Sequence, residues 1–331
     1  MNVRILSHRI TAPGMAPPAA GRAAAAAVAA ASALLLAACS SAASSPTATG
    51  GTSSPGSSSP SAGASYDAAI ANLVPASIRT SGTIPVASNA TYPPDEYYAA
   101  DNTTIIGFDP DLATAVGQIL GVKLTFVNTA FDDIIPALQA GRFAMAWSSA
   151  TATAARQQQV NFVTYFSAGV GFLVPAGSTL HIHGLADLCG LKVAVEAGSL
   201  EDTTAAAQSA RCTAAGKQPI SLQRYQDENE NLLALTSGRA QVSTAGSQII
   251  PYLVRQSGGK LKTVGGIYDR MPLGIEFSKT APISLAKAFQ AALNKMIVSG
   301  SYGRILAKWG EQEGAVTEAE ILPASAAGTA G

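Results

Sequence analysis

The chain has 331 residues and a formal net charge of zero, with 21 Lys and Arg residues against 21 Asp and Glu residues. This length is sufficient for two ordinary domains, and the balanced charge lacks the excess of basic residues on which nucleic-acid binding depends. We therefore expect no nucleic-acid partner. The alanine-rich composition is concentrated at the two ends of the chain, so the ends are interpreted separately from the middle.

Residues 1–39 have the pattern of an export signal, in which a basic start precedes the apolar, small-residue run Ala23–Ala38. The run is too weakly apolar to remain as a membrane span. The letters L-A-A-C that end at Cys39 resemble the bacterial lipobox, in which the cysteine is lipidated and becomes the first mature residue. We predict a lipid anchor at Cys39, on the outer face of the cytoplasmic membrane. The alternative is an ordinary signal peptide with an incidental cysteine.

A segment rich in Ser, Ala, Pro and Gly follows at residues 40–65. A segment of this composition buries too little apolar surface to fold, so we predict a disordered tether. Such a tether would hold a folded body away from the membrane.

The other two cysteines, Cys189 and Cys212, form an even pair in an exported chain, and an oxidising compartment favours a disulfide. The alternatives are a metal site and a catalytic thiol, and either would need histidine or acidic partners. The candidate partners, His181 and His183, lie in a polar loop with no carboxylate at ligand spacing. We predict a disulfide, with no metal and no cofactor.

Strand and helix patterns alternate from residue 84 onward, which is typical of a parallel sheet with helical crossovers. In such sheets ligands bind beyond the carboxyl ends of the strands, where the Tyr92 loop, Phe131 and Ser148 fall. The predicted elements are strand Ile84–Ala87, a Pro-stiffened loop with three tyrosines, strand Ile105–Phe108, a helix ending at Gly121, strand Val122–Val127, helix Phe131–Gln139 and strand Phe143–Trp147.

Two aspartates stand at the start of the first long helix. We interpret Asp109 as its N-cap and Pro110 as its first residue, since this order is typical of a helix start. Under the alternative interpretation, Asp109 and Asp111 are a catalytic pair of carboxylates.

The segment Ser148–Phe166 joins a strand end to a helix start. Hydroxyls crowd its first turn, and Thr153 stands where an N-cap precedes the helical letters A-A-R-Q-Q-Q. Such a turn gathers hydrogen-bond donors at the positive end of a helix dipole, where a carboxylate or phosphate is stabilised. Arg156 is unfavourable there unless an anion compensates its charge. We interpret Arg156 as a clamp for a ligand carboxylate; the alternative is a solvated surface arginine.

The same pattern starts again after Phe166. Gly198 and Ser199 form a second strand-to-helix turn, and two α/β units of this kind indicate two lobes with a cleft between them. The predicted elements here are an extended segment Gly169–Val174, strand Lys192–Glu196, a helix over Asn231–Leu235, strand Leu273–Phe277, helices Pro282–Val298 and Tyr302–Trp309, and a frayed tail.

From about Ile84 to Gly310 the chain resembles the family 3 solute-binding proteins, the polar amino acid receptors of bacterial ABC importers. The motifs that carry the resemblance are G-F-D-P-D-L-A, F-D-D-I-I-P-A-L-Q-A-G-R-F, S-S-A-T-A-T-A-A-R, N-F-V-T-Y-F, G-L-A-D-L-C-G-L-K-V-A-V-E-A-G-S and S-Y-G-R-I-L-A-K-W-G. The resemblance implies an α/β, two-lobe periplasmic-binding-protein fold of type II, in which two hinge strands let the lobes close around one solute.

The resemblance also implies the lobe boundaries and the site residues. After the signal peptide (1–39) and the tether (40–65), the boundaries are 66–168 (first part of lobe 1), 169–270 (lobe 2) and 271–312 (return of lobe 1), followed by a tail (313–331). The implied ligand-binding residues are Arg156 as the clamp on the α-carboxylate, Ser149 and Thr151 as donors beside it, Ser148 as a hydrogen-bonding group, Tyr92 and Phe131 as aromatic walls, and Ser199 as the lobe 2 donor.

Two positions depart from the family pattern. Gly246 stands where the family usually has the aspartate that binds the α-ammonium, and Asn89 replaces a second aspartate. Burying an ammonium without a carboxylate is costly. Either another acid reaches the pocket, or the ligand has no free α-amine, and we favour the second alternative. The candidate acids are Glu196, Glu201, Asp95 and Glu276.

The resulting hypothesis is a monomeric, lipid-anchored receptor that binds a small carboxylate-bearing solute, amino acid or similar, and delivers it to an ABC permease. It has no catalytic residues of its own. One alternative is a sensing or orphan lipoprotein without transport. Another is an enzyme similar to cyclohexadienyl dehydratase, which we disfavour because its chemistry needs an acid in the pocket and positions 89 and 246 have lost theirs.

Overall fold

The computed structural model describes residues 65–323. The predicted signal peptide, the lipidation site at Cys39 and all but the last residue of the predicted tether lie outside the described residues. The same is true of residues 324–331, at the end of the predicted tail.

The strands alternate with helices for much of the described chain. The strands are β1 (Thr83–Ser88), β2 (Thr91–Tyr92), β3 (Glu96–Tyr98), β4 (Ile105–Ile106), β5 (Lys123–Asn128), β6 (Met145–Ala146), β7 (Val160–Pro175), β8 (Lys192–Glu196), β9 (Ser221–Tyr225), β10 (Val242–Gly246), β11 (Leu261–Ser278) and β12 (Ile321–Leu322).

Most of the longer helices pack on the faces of the sheet. The helices are α1 (Ala68–Ala71), α2 (Ala76–Ser81), α3 (Phe108–Leu120), α4 (Phe131–Gln139), α5 (Ala154–Gln157), α6 (Leu200–Ala214), α7 (Glu228–Thr236), α8 (Ile250–Gln256), α9 (Ile283–Val298) and α10 (Ser301–Trp309). The predicted bounds of α4 and β8 are confirmed. Strand β6 is shorter than predicted, and β9 and α8 were not predicted.

One sheet runs through the described chain in the order β5-β1-β6-β11-β7-β10-β8-β9, and β12 pairs with β7. At one end β1 is parallel to β5 and β6, and at the other β8 is parallel to β9 and β10. The long strands β7 and β11 are antiparallel to each other and join these two parallel regions. The predicted α/β fold is confirmed.

Each parallel region has its own apolar core. Residues including Phe108, Trp147 and Phe289 form the core of lobe 1, and residues including Phe172 and Val193 form the core of lobe 2. Removing apolar surface from water stabilises each core by about 25 cal/mol for each Å² buried. Two separate cores in one sheet are what a two-lobe fold requires.

The strands β7 and β11 pass between the two lobes. Ala168 pairs with Met271, so the lobe boundaries predicted at 168/169 and 270/271 lie side by side in the paired strands. The pairing register shifts between Val264 and Tyr268 and again between Tyr268 and Met271. Irregular pairing weakens the ladder locally, so we propose this crossing as the hinge.

Asp109 is not the N-cap of α3, and the capping interpretation is wrong. The cap is Gly107, and Asp109 lies inside the first turn with its side chain fully buried. Tyr165 donates its hydroxyl to Asp109 Oδ2 at 2.7 Å. The neighbouring Asp111 accepts from Trp309 Nε1 at 2.7 Å.

The predicted Pro-stiffened loop around Tyr92 is a small three-stranded sheet made of β2, β3 and β4. Antiparallel pairing places Tyr92 opposite Glu96. The sheet therefore fixes two side chains shortly after the carboxyl end of β1, and Tyr92 packs against an apolar cluster of lobe 2 that includes Leu173 and Ala245.

The described part of the predicted frayed tail, residues 313–323, packs on lobe 1. Ile321 and Leu322 pair with β7, and Ala319 is fully buried. Gly314 sits so close to Phe166 that an added Cβ would lie 2.0 Å from the ring. The segment is held by packing and by the sheet rather than frayed.

The predicted disulfide is confirmed, because Cys189 and Cys212 are joined by an S–S bond. It connects the start of the segment before β8 to the last turn of α6 and closes a sequence separation of 23 residues. Both cysteines border the lobe 2 core.

Candidate ligand-binding site

A pocket lies between the two lobes, and every predicted ligand-binding residue lines it. These residues are Asn89, Tyr92, Phe131, Ser148, Ser149, Thr151, Arg156, Ser199 and Gly246. Two of the candidate acids, Glu196 and Glu201, also line the pocket. The remaining lining residues have no role predicted from the sequence: Glu96, Ala168, Gly169, Val170, Leu200, Gln248 and Leu273.

The Ser148–Ser149 turn connects the pocket to acids behind it. The Ser148 hydroxyl accepts from the Asn89 backbone N–H at 2.9 Å and donates to Glu96 at 2.9 Å. The Ser149 hydroxyl donates to Asp95 at 2.7 Å. Ser149 also has a positive φ of 47°, which only tertiary contacts can hold in a non-glycine residue. The two hydroxyls are therefore directed at protein carboxyls in this state.

Arg156 lies in the short helix α5, which begins as predicted, with the Thr153 hydroxyl accepting from the Arg156 backbone N–H. Its guanidinium donates to the carbonyl of Thr151 at 3.0 Å and to that of Gly198 at 2.9 Å. It also lies 5.2 Å from the centre of the Phe131 ring, within cation–π distance.

The charge of Arg156 has no ion-pair partner among the described residues, because the ion pairs found there join other side chains. Loss of hydration lowers the pKa of Arg156, and the nearby Glu276, Glu201 and Glu196 act in the opposite direction. The guanidinium keeps N–H donors that a planar, anionic carboxylate would fit.

Lobe 2 brings two carboxyl groups to the pocket. Glu196 ends β8, and Glu201 lies in the first turn of α6, which is capped by the Ser199 hydroxyl accepting from the Asp202 backbone N–H at 3.0 Å. Both glutamates are buried, at 6% and 8% exposure. Burial raises the pKa of both groups, and neighbouring carboxyls, Glu228 first, raise the pKa of Glu196 further.

The structure thus favours the first of the two alternatives left open by positions 89 and 246. Glu96, Glu196 and Glu201 all line the pocket, so it is rich in acids despite the two substitutions. Of the other candidate acids, Asp95 lies behind Gln248 and Glu276 faces a neighbouring cavity. The preference for a ligand without an α-amine loses its basis.

Hydrogen bonds between the lobes hold the pocket closed. Asn89 donates to Glu196 at 3.2 Å, the Gly246 N–H donates to the Tyr92 hydroxyl at 2.9 Å, and Arg156 reaches Gly198. The enclosed space is only about 30 Å³, roughly enough for a water molecule. An amino acid would therefore enter only after the lobes separate and these bonds break.

Three carboxyl groups of lobe 1, of which Glu96 lines the pocket, converge on one hydroxyl. Ser149 Oγ lies 2.7 Å from Asp95, 3.3 Å from Glu96 and 3.3 Å from Asp109. Burial is the main cause that raises the pKa of each carboxyl, and their mutual repulsion raises the pKa of Asp95 and Glu96 further. The sequence does not predict this cluster, because the letters around Asp109 fit a helix N-cap.

A larger cavity of about 540 Å³ adjoins the pocket on the far side of Arg156. Phe131, Asp132, Ser199 and Glu276 are among its lining residues. Burial raises the pKa of Glu276 to about 7, and Arg156 opposes the shift. Arg156 therefore forms a wall shared by the two spaces.

Within residues 65–323, no group of three or more His, Cys, Asp or Glu side chains has an arrangement that could hold a metal ion. In the same range, no helix has the length and apolar character needed to span a membrane.

Comparison with known proteins gives the site a context. A family model for bacterial extracellular solute-binding proteins, family 3, matches residues 84–312. The arginine-binding protein ArgT of Corynebacterium glutamicum is 31% identical over 250 residues, which cover 75% of this chain and 81% of that protein.

Two solved structures of reconstructed ancestral proteins are similar to this chain. An ancestral arginine-binding protein bound to arginine has a TM-score of 0.63 at 33% identity, covering 69% of this chain and 98% of its own. An ancestral amino acid-binding protein described as a precursor of cyclohexadienyl dehydratase has a TM-score of 0.63 at 30% identity, covering 70% of this chain and 97% of its own.

Proposed function

We propose that this chain, which belongs to the bacterial extracellular solute-binding proteins, family 3, captures an amino acid with a cationic side chain between its lobes and delivers it to the permease of an ABC importer. The proposal combines the solute-binding role of the family with the charges of this particular pocket. It does not require chemistry, because a receptor needs only a higher affinity of its closed state for the ligand.

The observation that carries the proposal is the unequal distribution of charge in the pocket. Arg156 has no carboxylate within ion-pair distance among the described residues, whereas Glu96, Glu196 and Glu201 have no cationic partner there. A ligand with one carboxylate and two cationic groups complements both ends. It would compensate Arg156 and stabilise the ionised form of the buried acids.

Each end of such a ligand has a defined neighbour. The carboxylate would bind Arg156 beside Thr151, and the apolar stem would lie against the ring of Phe131 and that of Tyr92. The side-chain cation would bind Glu196 and Glu201. Arginine is the leading candidate, because the similar relatives named above are arginine-binding proteins.

Buried acids with raised pKa values line the pocket, so a lack of acids does not speak against a dehydratase-like enzyme. The receptor role is favoured instead by the relatives, which are described as binding proteins. Even the structure related to cyclohexadienyl dehydratase is described as an amino acid-binding precursor.

Anchoring through Cys39 and the tether, residence on the outer face of the membrane, a monomeric state and partnership with a permease complete the proposal. They rest on the sequence pattern and on the family rather than on the described residues. A sensing lipoprotein without transport would have the same pocket, and uptake of radiolabelled ligand by cells with and without this protein distinguishes the two roles.

A thermal-shift panel tests the ligand class. Binding to the native state raises the melting temperature by mass action. We expect stabilisation by arginine, weaker stabilisation by citrulline, its neutral analogue, and none by cyclohexadienyl acids. No shift with any basic amino acid, together with a shift by a neutral or acidic solute, would contradict the proposal.

A further inference from the structure

Position 246 leaves one question within the proposed function: which group receives the α-ammonium of the ligand in place of the usual aspartate. The backbone of Gly246 lies in the pocket wall, where its N–H donates to the Tyr92 hydroxyl at 2.9 Å. A side chain cannot be added there without displacement. A Cβ on Gly246 would lie 2.6 Å from Gln248 Oε1 and 2.8 Å from the Tyr92 hydroxyl oxygen.

Gln248 Oε1 occupies the space that an aspartate side chain at 246 would use. Standard bond lengths place a carboxylate oxygen about 2.4 Å from its own Cβ, and Gln248 Oε1 lies 2.6 Å from the Cβ position of residue 246. The amide oxygen of Gln248 therefore lies about as far from this Cβ position as the oxygens of an aspartate at 246 would.

The orientation of the Gln248 amide is set by a carboxyl group behind it. Gln248 Nε2 donates to Asp95 Oδ2 at 2.9 Å, which turns the amide oxygen away from Asp95. Asp95 is itself held by the Ser149 hydroxyl. Gln248 is only 8% exposed, and its amide oxygen is buried without a hydrogen-bond partner. A buried acceptor without a partner is costly, so a donor is expected to reach it in the functional state.

We propose that Gln248, oriented by Asp95, binds the α-ammonium of the ligand in place of the absent aspartate at 246. Glu96, which lines the same pocket, places a carboxyl group nearby. The inference rests on the proposed function and names one further binding residue and one positioning residue. Gln248 contacts the ligand, and Asp95 acts through Gln248.

The test compares arginine with 5-guanidinopentanoic acid, which is arginine without its α-amine. Affinities of the ligand-free chain for both compounds are measured by isothermal titration calorimetry. The substitution Gln248→Met keeps the length of the side chain and removes the strong acceptor. We expect it to weaken arginine binding about 10- to 100-fold, as for a hydrogen bond to a charged group, and to leave the deaminated compound unchanged.

Two further variants separate binding from folding. Asp95→Asn keeps the shape of the side chain and removes its charge, and we expect it to reduce the same preference for arginine by a smaller factor. Gln256→Met replaces an exposed glutamine at the end of α8, and both affinities should stay at the wild-type values. Melting temperatures of the three variants report their folding.

The outcomes also separate this inference from the proposed function. If wild type binds neither compound, the proposed function fails. If wild type binds both equally well, the pocket has no ammonium subsite and the inference fails alone. If the preference for arginine remains in both Gln248→Met and Asp95→Asn, the ammonium binds another residue and the inference is overturned.

Discussion

The two sides of the pocket differ in how their charge is supplied. On one side, a single residue, Arg156, carries the positive charge, and its short helix is capped by its near neighbour Thr153. On the other side, the carboxyl groups that could face a cation are Glu196 and Glu201 of lobe 2 and Glu96 of lobe 1, and Asp95 and Asp109 lie close to Glu96 around the Ser149 hydroxyl. A site for a carboxylate can be built from one local segment, whereas a site for a cation is assembled here from both lobes.

The substitution Arg156→Ala should have the largest effect on binding. It removes the cation that holds the ligand carboxylate and leaves the acids of the pocket without any opposing charge. We expect arginine affinity to fall by more than about 100-fold, since breaking a desolvated charge pair costs about 3–5 kcal/mol. Isothermal titration calorimetry measures the loss, and Arg142→Ala, at an exposed arginine, is the matched control. Unchanged affinity in Arg156→Ala would mean that the carboxylate binds elsewhere.

The opposite side is tested by Glu196→Gln, which keeps the shape of the side chain and removes its charge. Arginine affinity should fall by about 10- to 100-fold, because a charge-assisted hydrogen bond is replaced by a neutral one. Citrulline affinity should change much less. Glu318→Gln, at an exposed glutamate, serves as the control. An equal loss of affinity for arginine and citrulline would indicate that Glu196 stabilises the contact between the lobes and does not bind the side-chain cation.

The buried acids should also make the stability of the ligand-free chain depend on pH. Burial raises the pKa of Glu276 to about 7 and that of Glu228 to about 8. The folded chain then binds more protons than the unfolded chain between about pH 4.5 and about pH 8. The free energy of unfolding is therefore highest below about pH 4.5 and falls as the pH rises toward about 8. Urea unfolding at pH 5 and pH 8 measures the difference.

At pH 8 the variant Glu276→Gln should be more stable than wild type, by an amount on the order of 1–3 kcal/mol. Its stability should also depend less on pH. Glu320→Gln, at an exposed carboxyl group, should behave as wild type. A wild-type chain that is more stable at pH 8 than at pH 5 would contradict the raised pKa values of Glu276 and Glu228.

The smallest effect is expected for Phe131→Leu. This change removes the ring that lies 5.2 Å from the Arg156 guanidinium but keeps an apolar side chain. A cation–π contact contributes about 0.5–2 kcal/mol, so arginine affinity should fall by a factor of about 2 to 30. Thermal-shift titration is sufficient to measure it. A larger loss of affinity in Phe131→Leu than in Arg156→Ala would contradict the assignment of Arg156 as the main contact of the ligand carboxylate.

The sequence predicts the helix start at Arg156 correctly because its determinants are local, while the role of Arg156 in ligand binding stays a prediction. The Thr153 cap lies three residues from Arg156, and the bounds of helix α4 follow from a single amphipathic run. The prediction of Asp109 as an N-cap is wrong, because the same letters fit both an N-cap and a buried carboxyl group. Only the fold brings Asp109 to Tyr165, 56 residues away.

The acidic side could not be predicted for the same physical reason. Gln248 and Asp95 are 153 residues apart, and Asn89 and Glu196 are 107 residues apart. No periodicity connects such pairs, because each contact depends on how the two lobes meet. The sequence shows the loss of acids at 89 and 246 and offers Glu196 and Glu201 as candidate replacements, but only the fold places these two side chains in the pocket.

Calorimetric titration of the ligand-free, wild-type chain with arginine and with citrulline measures whether the pocket selects a cationic side chain. The two ligands share the α-amino acid group and differ in the charge of the side-chain end. We expect arginine to bind at least about 10-fold more tightly, which corresponds to about 1.4 kcal/mol. Equal affinities, or tighter binding of citrulline, would show that the acids of the pocket do not select a cationic ligand.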